Sequence, residues 1–417
     1  MEEIFARSAA NLVTEALGAF RVVILNGARQ SGKSTLIEAV RGDARAVTLD
    51  DRDTLRAART DPAGLLEGLG TPLYIDEVQR GGDPLVLAIK AAVDRRHTET
   101  GLYVLAGSSR FLTVPQLSES LAGRARIIDL WPLSQTEIER VPFRETLIDR
   151  LFTGDSVRDI EPLAESRATS LERVVRGGFP AVHQMATSRQ RAAWCDDYVE
   201  TLIRRDLTEL SRIRQSVDLR RFVGLLAART AQELIIAAVA RDAQLGEDAT
   251  RAYLALVETI YLVHQLPAWS TSATARAKRR TKLHFVDSGI AANLLDVSVD
   301  TLVPATSPHL GPLVETFVVS ELARLQTWSS IRTRHGHFRD SEQREVDLIL
   351  EARDGRIVGV EVKAANDVDE GDFRHLRYLR DRLGDRFVHG VVIHLGRRPL
   401  AFGHRLTALP LSSLWAT

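Results

Sequence analysis

The stretch "RVVILNGARQSGKSTLIEAVRG", residues 21–42, decides the fold of the first part of the chain. Its apolar start, 21–27, predicts a buried strand, and the following "SGKSTLIEAVRG" predicts a helix. Between them, "GARQSGKST" (27–35) fits the pattern G-x-x-x-x-G-K-[ST]. Glycine lets successive backbone N–H groups of such a loop point at phosphate oxygens, and the start of the helix adds its positive dipole end. The stretch therefore predicts a phosphate-binding loop.

The side chains of this loop predict an ATP and Mg²⁺ site. Lys33 is expected to reach the β- and γ-phosphates as a binding and catalytic group, and the Ser34 hydroxyl to ligate Mg²⁺. The other ATP-binding residues predicted in the loop are Gly27, Ala28, Arg29, Gln30, Ser31, Gly32 and Thr35.

Two later apolar runs are expected to bring polar groups to the same site. "LYIDEVQ" (73–79) ends a strand with Asp76, which can hold Mg²⁺ and contact the nucleotide, and with Glu77, which is suited to polarise the attacking water. The run "LYVLAGS" (102–108) ends in Ser108, which could sense the γ-phosphate; a plain turn of small residues is the alternative.

An arginine finger is a further catalytic candidate. Arg124 and Arg126 follow a helical segment and precede the next strand, so either charge could stabilise the transition state within the chain or from a neighbouring copy. The alternative is a solvated arginine, because arginine is common in this chain: the 55 basic residues comprise fifty arginines and five lysines.

The order of the segments predicts an α/β multidomain protein. Apolar runs at 21–27, 46–51, 72–78, 102–108 and 125–133 alternate with helices, which is typical of a parallel sheet covered on both faces. A length of 417 residues predicts two or three domains, at roughly 150 residues each. The boundaries are placed at 1–150 for the phosphate-loop domain, 151–300 for a mostly helical region and 301–417 for a mixed α/β domain.

Composition excludes several classes of protein. A hydrophobic share of 44% and a charged share of 26% are typical of a globular chain. A net charge of zero gives no overall field that attracts nucleic acid, so DNA binding would need a local patch. One cysteine, an acidic start and no apolar run of about 18 residues lead us to expect a cytoplasmic protein without membrane spans.

The middle region has the outline of a winged helix. A helical pattern at 249–266 precedes a basic hairpin, "RAKRRTK" (276–282), which could lie along DNA phosphates or be merely solvated. The segment "GGFP" (177–180) could seat a lid beside the nucleotide or be a simple loop.

The stretch "EVDLILEARDGRIVGVEVKAAND" (345–367) predicts a second site. If its two apolar runs pair as antiparallel strands, Asp347, Glu361 and Lys363 meet at one end. Carboxylates gather Mg²⁺ or Mn²⁺, Glu315 on a preceding helix can add a third ligand, and Lys363 could activate a metal-bound water. An exposed hairpin with solvated charges is the alternative.

The chain resembles a family of bacterial and archaeal AAA-type P-loop ATPases with a C-terminal domain of unknown function. The matching segments are "GARQSGKST", "YIDEVQ", "AGSSR", "SLAGR", "WPLSQTE", "GGFP", "YVETLIRRDL", "KLHFVDSGIAANLL", "LVETFVVSEL" and "EVDLIL…VEVK". The resemblance implies a P-loop ATPase domain, a helical and winged-helix middle, and a C-terminal domain similar to the restriction-endonuclease-like PD-(D/E)xK nucleases. By that likeness Glu315, Asp347, Glu361 and Lys363 would be the metal and catalytic positions, although Val346 stands where a proline is common.

Three functions fit these expectations. The first is a Mg²⁺-dependent ATPase that couples hydrolysis to conformational change in a DNA-related process. The second is a slow nucleotide-gated switch or scaffold that binds a protein partner, and the third is an ATP-regulated, metal-dependent nuclease. The AAA-type fold is compatible with a homo-oligomer, such as a hexameric ring, and also with a monomer.

Overall fold

A computed structural model describes residues 5–108, 121–142, 145–153, 157, 160–206, 216–272, 276 and 279–416. The chain forms two compact units, one of Met1–Pro132 with Thr259–Tyr261 and one of Leu133–Glu258 with Leu262–Thr417. The division into three domains stays a prediction. Within the described ranges no helix is both long and apolar enough to cross a membrane.

The first unit is built on a five-stranded parallel sheet. Its strands are β1 Val22–Asn26, β2 Arg45–Thr48, β3 Leu73–Asp76, β4 Tyr103–Gly107 and β5 Ala125–Asp129. The strand order is β2-β3-β4-β1-β5, and every pair is parallel. The helices are α1 Ala9–Ala19, α2 Lys33–Val40, α3 Arg52–Thr60, α4 Pro62–Leu69 and α5 Gly82–Arg95, with a 3₁₀ turn at Val78–Gly81. The parallel sheet predicted from the apolar runs is confirmed.

The burial of strand β1 on both faces explains why this part of the sequence is a continuous apolar run. Val22 and Ile24 are buried in one core cluster, with side chains of α3, α4 and α5. Val23 and Leu25 are buried in another, with side chains of α1 and α2. A parallel strand covered on both faces needs apolar residues at every position, so no alternation remains in its sequence.

The second unit contains twelve of the described helices. They are α6 Gln135–Ile138, α7 Leu147–Thr153, α8 Arg167–Arg176, α9 Pro180–His183, α10 Ser188–Thr201, α11 Ser216–Ala227, α12 Ile236–Ala243, α13 Glu247–Thr259, α14 Ser288–Leu294, α15 Val299–Leu302, α16 Leu310–Gln326 and α17 Arg374–Leu383. Shorter turns are a π-helical turn at Leu202–Asp206 and 3₁₀ turns at Glu370–Phe373, Gly384–Arg386 and Leu411–Leu414.

A small antiparallel sheet joins three strands of the middle region. They are β6 Gln232–Glu233, β7 Val263–Leu266 and β8 Lys282–Phe285, in the order β6-β8-β7. The expectation of one helix across 249–266 is therefore wrong at its end. Helix α13 stops at Thr259, the backbone reverses at Tyr261 with φ of 58°, and the remaining apolar residues pair with β8. The winged-helix interpretation stays a prediction.

The C-terminal sheet has six strands of mixed direction. They are β9 Thr333–Arg339, β10 Glu345–Ala352, β11 Ile357–Lys363, β12 Phe387–His394, β13 Leu400–Ala401 and β14 Leu406–Pro410, in the order β13-β14-β12-β11-β10-β9. Strands β10 and β11 pair antiparallel, as predicted, and β11 and β12 pair parallel across the connection that contains α17. The restriction-endonuclease-like assignment of this sheet stays a prediction.

A buried ion cluster connects distant segments of the second unit. Arg324 on α16 lies 3.0 Å from Asp287 and 3.1 Å from Glu321, measured between nitrogen and oxygen. Asp287 also accepts the backbone N–H of Gly178 at 2.7 Å, and Glu321 accepts that of Gln135 at 2.7 Å. Removing one partner of such a buried pair costs about 3–5 kcal/mol. The "GGFP" segment thus lies at a structural junction of the second unit.

The close approach at Gly177 gives a stability prediction. Its φ is +70°, and a Cβ atom there would lie 2.0 Å from Asp287 Oδ1. We expect Gly177→Ala to lower the melting temperature, followed by circular dichroism, by ~5 °C or more because both the backbone and the ion cluster must shift.

Gly224 in α11 is the matched control. A Cβ atom at Gly224 meets no heavy atom of the described residues within 4 Å. Gly224→Ala should therefore raise helix stability by about 1 kcal/mol. A Gly177→Ala chain that melts at or above the native temperature would contradict the close packing.

Candidate functional site

The phosphate loop spans the turn from β1 to α2. A Cβ atom at Gly27 would lie 2.3 Å from the carbonyl oxygen of Leu130, so the loop passes where a side chain has no room. Gly32, with φ of +94°, is the N-cap of α2, and Gln30 also has positive φ, at 58°. Thr35 lies exposed in the first turn of the helix. The loop residues are therefore placed as the motif predicts, at the carboxyl end of a buried strand.

Lys33 lies back over this loop. Its Nζ donates to the carbonyl oxygens of Gly27 at 2.9 Å and Ala28 at 2.8 Å, and the residue is 6% exposed. The nearby Ser31 hydroxyl is buried and has no hydrogen-bond partner among the described residues. A buried polar group without a partner is costly unless a ligand supplies one. The loop thus fits a phosphate group that takes up these donors.

Arg7 holds the loop from the N-terminal segment. Its guanidinium donates to the carbonyl oxygen of Ser31 and, at 2.7 Å, to that of Trp131. Sequence reasoning missed this residue, because one arginine among fifty carries no local signal for a contact 24 positions away.

Ser34 and Asp76 form the pair expected to bind Mg²⁺. The Ser34 hydroxyl donates to Asp76 Oδ2 at 2.7 Å, and the other carboxylate oxygen accepts the N–H of Glu77 at 2.9 Å. Hard oxygen donors at the edge of a phosphate site are the ligands that Mg²⁺ uses together with substrate phosphates. These residues fit the ion, which when bound supplies positive charge against the phosphate oxygens.

Glu77 is buried beside this pair and is held by its neighbours. It has φ of 52°, and its Oε2 accepts the Ser108 hydroxyl at 3.1 Å and the amide of Gln79. Arg29 approaches its other oxygen at 4.0 Å. Ser108 thus contacts the Glu77 carboxylate, and Gln79 is a site residue that sequence reasoning missed although it ends the same motif.

Arg124 lies at the opposite end of the sheet. It directly precedes β5, whose first residue, Ala125, pairs with Val22 at the start of β1. The phosphate loop follows the other end of β1, ~13 Å away along the strand. Its guanidinium binds Asp94 at 2.5 and 3.1 Å, which lowers the pKa of that carboxyl. Arg124 as an arginine finger within its own chain is therefore wrong. Action on a neighbouring copy stays a prediction.

A second cluster of charges lies in the second unit around Lys282. Its Nζ is 2.9 Å from Glu315 Oε1, 2.7 Å from Glu345 Oε1 and 3.1 Å from Asp347 Oδ1. The side chain is 3% exposed. Burial alone would lower the pKa of Lys282, but the charges of the three carboxylates outweigh it and raise the pKa. The side chain is thus a buried ammonium ion.

The other two predicted residues of this site pair with each other. Glu361 Oε1 lies 3.1 Å from Lys363 Nζ, while Glu361 Oε2 is buried without a hydrogen-bond partner among the described residues. Burial, and then the charge of Asp347, raises the pKa of Glu361 to about 8. Lys363 also lies 3.7 Å from Asp372.

The predicted side chains of this site form ion pairs in this structure. In the part of the chain that the structure describes, no group of three or more Asp, Glu, His or Cys residues could hold a metal ion. The reason is Lys282, whose ammonium lies between Glu315 and Asp347. In this structure Glu315 and Asp347 are thus ion-paired with Lys282, and Glu361 is ion-paired with Lys363, whereas the metal site of Glu315, Asp347 and Glu361 stays a prediction.

The basic hairpin is also largely engaged within its own unit. Lys282 belongs to the cluster just described, Arg276 forms an ion pair with Glu351 at 2.9 Å, and Arg279 donates to the carbonyl oxygen of Arg339 at 2.5 Å. Lys278 lies outside the described residues. Three of the basic side chains predicted to contact DNA are therefore occupied by ion pairs or hydrogen bonds within the protein.

The position of Arg124 yields a prediction. Because it is paired with Asp94 at the far end of the sheet, we expect Arg124→Ala to hydrolyse ATP within ~3-fold of the native rate in dilute protein. A missing arginine finger would instead cost ~10³-fold or more. Steady-state phosphate release, with the oligomeric state checked at the same concentration, distinguishes the two.

Comparison with known families divides the chain into three matched segments. Residues 19–139 match the family described as "AAA domain". Residues 168–301 match "Domain of unknown function (DUF8612)", and residues 310–414 match "Domain of unknown function (DUF4143)".

Two mycobacterial proteins are similar over almost the full length. They are named "Uncharacterized protein Mb2031c", from Mycobacterium bovis, and "Uncharacterized protein Rv2008c", from Mycobacterium tuberculosis. Each is 29% identical over 413 residues, which are 99% of this chain and 85% of the relative.

Among solved structures, the chain is distantly similar to a Walker-type ATPase, PABY2304 of Pyrococcus abyssi. The TM-score is 0.44 and the identity 16%, over 70% of this chain and 97% of the other. The RuvB Holliday junction branch migration motor of Thermotoga maritima gives a TM-score of 0.31 and 17% identity, over 63% and 90%. With the geometry of its phosphate loop, the match of residues 19–139 to an AAA domain supports nucleotide binding and hydrolysis by this part of the chain.

Proposed function

We propose that this protein is a Mg²⁺-dependent ATPase whose active site lies in the first unit. The single observation that carries the proposal is the 2.7 Å hydrogen bond from Ser34 to Asp76, made directly beside the phosphate loop. The hydroxyl lies in the first turn of α2 and the carboxylate ends β3, so two separate elements deliver oxygen ligands to one point.

Each group of the site has a distinct task in this proposal. Lys33 leaves the carbonyl oxygens of Gly27 and Ala28 for the β- and γ-phosphate oxygens, which accept the same N–H donors more strongly because they are charged. Ser34 and Asp76 hold Mg²⁺. Glu77 orients the attacking water and accepts its proton, and its contacts with Ser108 and Gln79 fix the direction of the carboxylate.

Substitutions at Lys33 and Glu77 test this assignment. We expect Lys33→Ala to lose ATP binding, and Glu77→Gln to keep binding while its turnover falls by ~10²–10⁴-fold, since Gln cannot accept the proton. Removal of Mg²⁺ by a chelator should abolish turnover. ATP binding is measured with a fluorescent analogue and turnover by phosphate release.

Glu38→Gln is the matched control, because it makes the same change at an exposed carboxylate of α2 outside the phosphate loop. It should remain within ~3-fold of the native rate. If Glu77→Gln hydrolyses ATP as fast as the native chain, Glu77 is not the base and the proposed site fails.

We further propose that hydrolysis serves a DNA-related process through residues 216–285. The order α11-β6-α12-α13-β7-β8, with β8 between the other two strands, supports a winged helix. The exposed start of α13 carries Glu247 and Asp248, and its Arg251 is paired with Glu247 at 3.4 Å. Contact with DNA would therefore come from the hairpin between β7 and β8, where the Arg280 side chain is 58% exposed.

One feature favours the protein-partner switch as a second candidate. The acidic start of α13 is followed by exposed Ala252 and Ala255. The carboxylates repel a phosphate backbone, so this face suits a protein partner better than DNA.

The rate of ATP turnover with and without duplex DNA distinguishes the DNA-related function from the protein-partner switch. If DNA is the effector, it should stimulate hydrolysis several-fold, less so as salt rises, because phosphate contacts release counterions. Arg280→Ala should reduce the stimulation without changing the basal rate, and Arg353→Ala, exposed on the turn between β10 and β11, is the control for charge. Slow hydrolysis that is indifferent to DNA at low salt would instead support the switch.

A further inference from the structure

Three carboxylates of the second unit converge on one lysine. Lys282 begins β8, Glu315 lies on α16, and Glu345 and Asp347 lie two apart on β10. Four side chains from three elements thus meet at one buried point, although they are up to 65 positions apart in sequence. The cluster is distinct from the nucleotide site of the first unit.

The ammonium group of Lys282 has a carboxylate partner for each of its three N–H donors. An ammonium group has three N–H donors and no acceptor, and here each donor can serve one of the three carboxylates. Asp347 gives its Oδ1 to Lys282 at 3.1 Å and its Oδ2 to the N–H of Val362 at 2.9 Å. Each oxygen of Asp347 thus already accepts one hydrogen bond.

A divalent cation and the Lys282 ammonium cannot share this position. The Nζ atom is 2.7–3.1 Å from the three carboxylate oxygens, and Mg²⁺ would need the same oxygens at about 2.0–2.1 Å. Two cations that close repel each other strongly in a buried site. The lysine therefore has to leave before an ion can enter.

We propose that Lys282 is the resident cation of the C-terminal carboxylate cluster and excludes divalent metal from it. The ammonium fixes β8 to α16 and β10, so that the small sheet and the six-stranded sheet are joined by charge. The second unit then folds without a metal ion and runs no metal-dependent phosphodiester hydrolysis at this cluster.

The same geometry predicts what happens without the lysine. Glu315 and Asp347 would lose their ammonium partner, and Glu345, whose side chain is 32% exposed, would keep only Arg339 at 3.9 Å. Glu361 has a buried oxygen that already has no hydrogen-bond partner among the described residues. Hard cations bind such oxygen sets. Loss of Lys282 should therefore turn the cluster into a metal site.

Mn²⁺ titration of the full chain, followed by electron paramagnetic resonance without nucleotide, tests the proposal. All variants carry Asp76→Asn, so that Mn²⁺ bound by this carboxylate of the first unit does not add to the number of ions measured per chain. We expect no stoichiometric Mn²⁺ in this parent chain and one Mn²⁺ per chain when Lys282→Met is added. The control is Lys363→Met, the same change at the lysine that pairs with Glu361, and it should bind none.

Thermal melting gives a second readout. Lys282→Met should lower the melting temperature by ~10 °C, because the carboxylates of Glu315 and Asp347 lose their ammonium partner in a nearly buried site, and Mn²⁺ should recover much of this loss. Adding Asp347→Asn to Lys282→Met should remove both the Mn²⁺ site and the recovery.

Two results would overturn the proposal. The first is one Mn²⁺ per parent chain that disappears on Asp347→Asn, since the native cluster would then accept metal with the lysine present. This measurement on the parent chain tests the proposal even if Lys282→Met does not fold. The second is a folded Lys282→Met chain that binds no Mn²⁺.

Discussion

Charges buried on helix α16 must be neutralised, and the arrangement of the second unit follows from this constraint. The helix carries Glu321 and Arg324, which are 0% and 2% exposed, and Glu315, whose side chain is 14% exposed. Burying an unpaired charge costs far more than a domain can spare, so every one of them requires a partner from another element. Arg324 is paired with Asp287, which precedes α14, and Glu315 with Lys282 on β8. Two ion pairs thus connect this helix with Lys282, the first residue of β8, and with Asp287, two residues after the end of that strand.

The first unit depends on a different constraint, the shared direction of its strands. Parallel strands deliver all their carboxyl ends to one edge of the sheet, so Asn26, Asp76 and Gly107 are neighbours there although the chain between them is long. The loop, the Ser34–Asp76 pair and Glu77 all follow these ends. Catalytic geometry in this unit is therefore a consequence of sheet topology, whereas in the second unit the corresponding polar cluster depends on individual ion pairs.

This difference explains how much could be predicted from the sequence. The phosphate loop and the strands of the first unit have local signals: glycine and lysine at fixed spacing, and apolar runs of strand length. The antiparallel pairing of β10 and β11 was predictable for the same reason. Lys282 was assigned to a DNA-binding hairpin because its partners, 33 and 65 positions away, have no local signal. The error at Arg124 was avoidable, since a residue that precedes a parallel strand lies at the amino end of the sheet, away from the loop.

The scarcity of lysine has a physical explanation at these two sites. With fifty arginines in the chain, Lys33 and Lys282 occupy positions where the shape of the cation matters. Nζ of Lys33 contacts two carbonyl oxygens of a tight loop, and Nζ of Lys282 contacts three carboxylates within 3.1 Å. A compact ammonium can direct its three donors to a pyramid of acceptors, while the planar guanidinium directs five donors outward in one plane and needs more room. The phosphate loop and the carboxylate cluster therefore require the same residue for the same geometric reason.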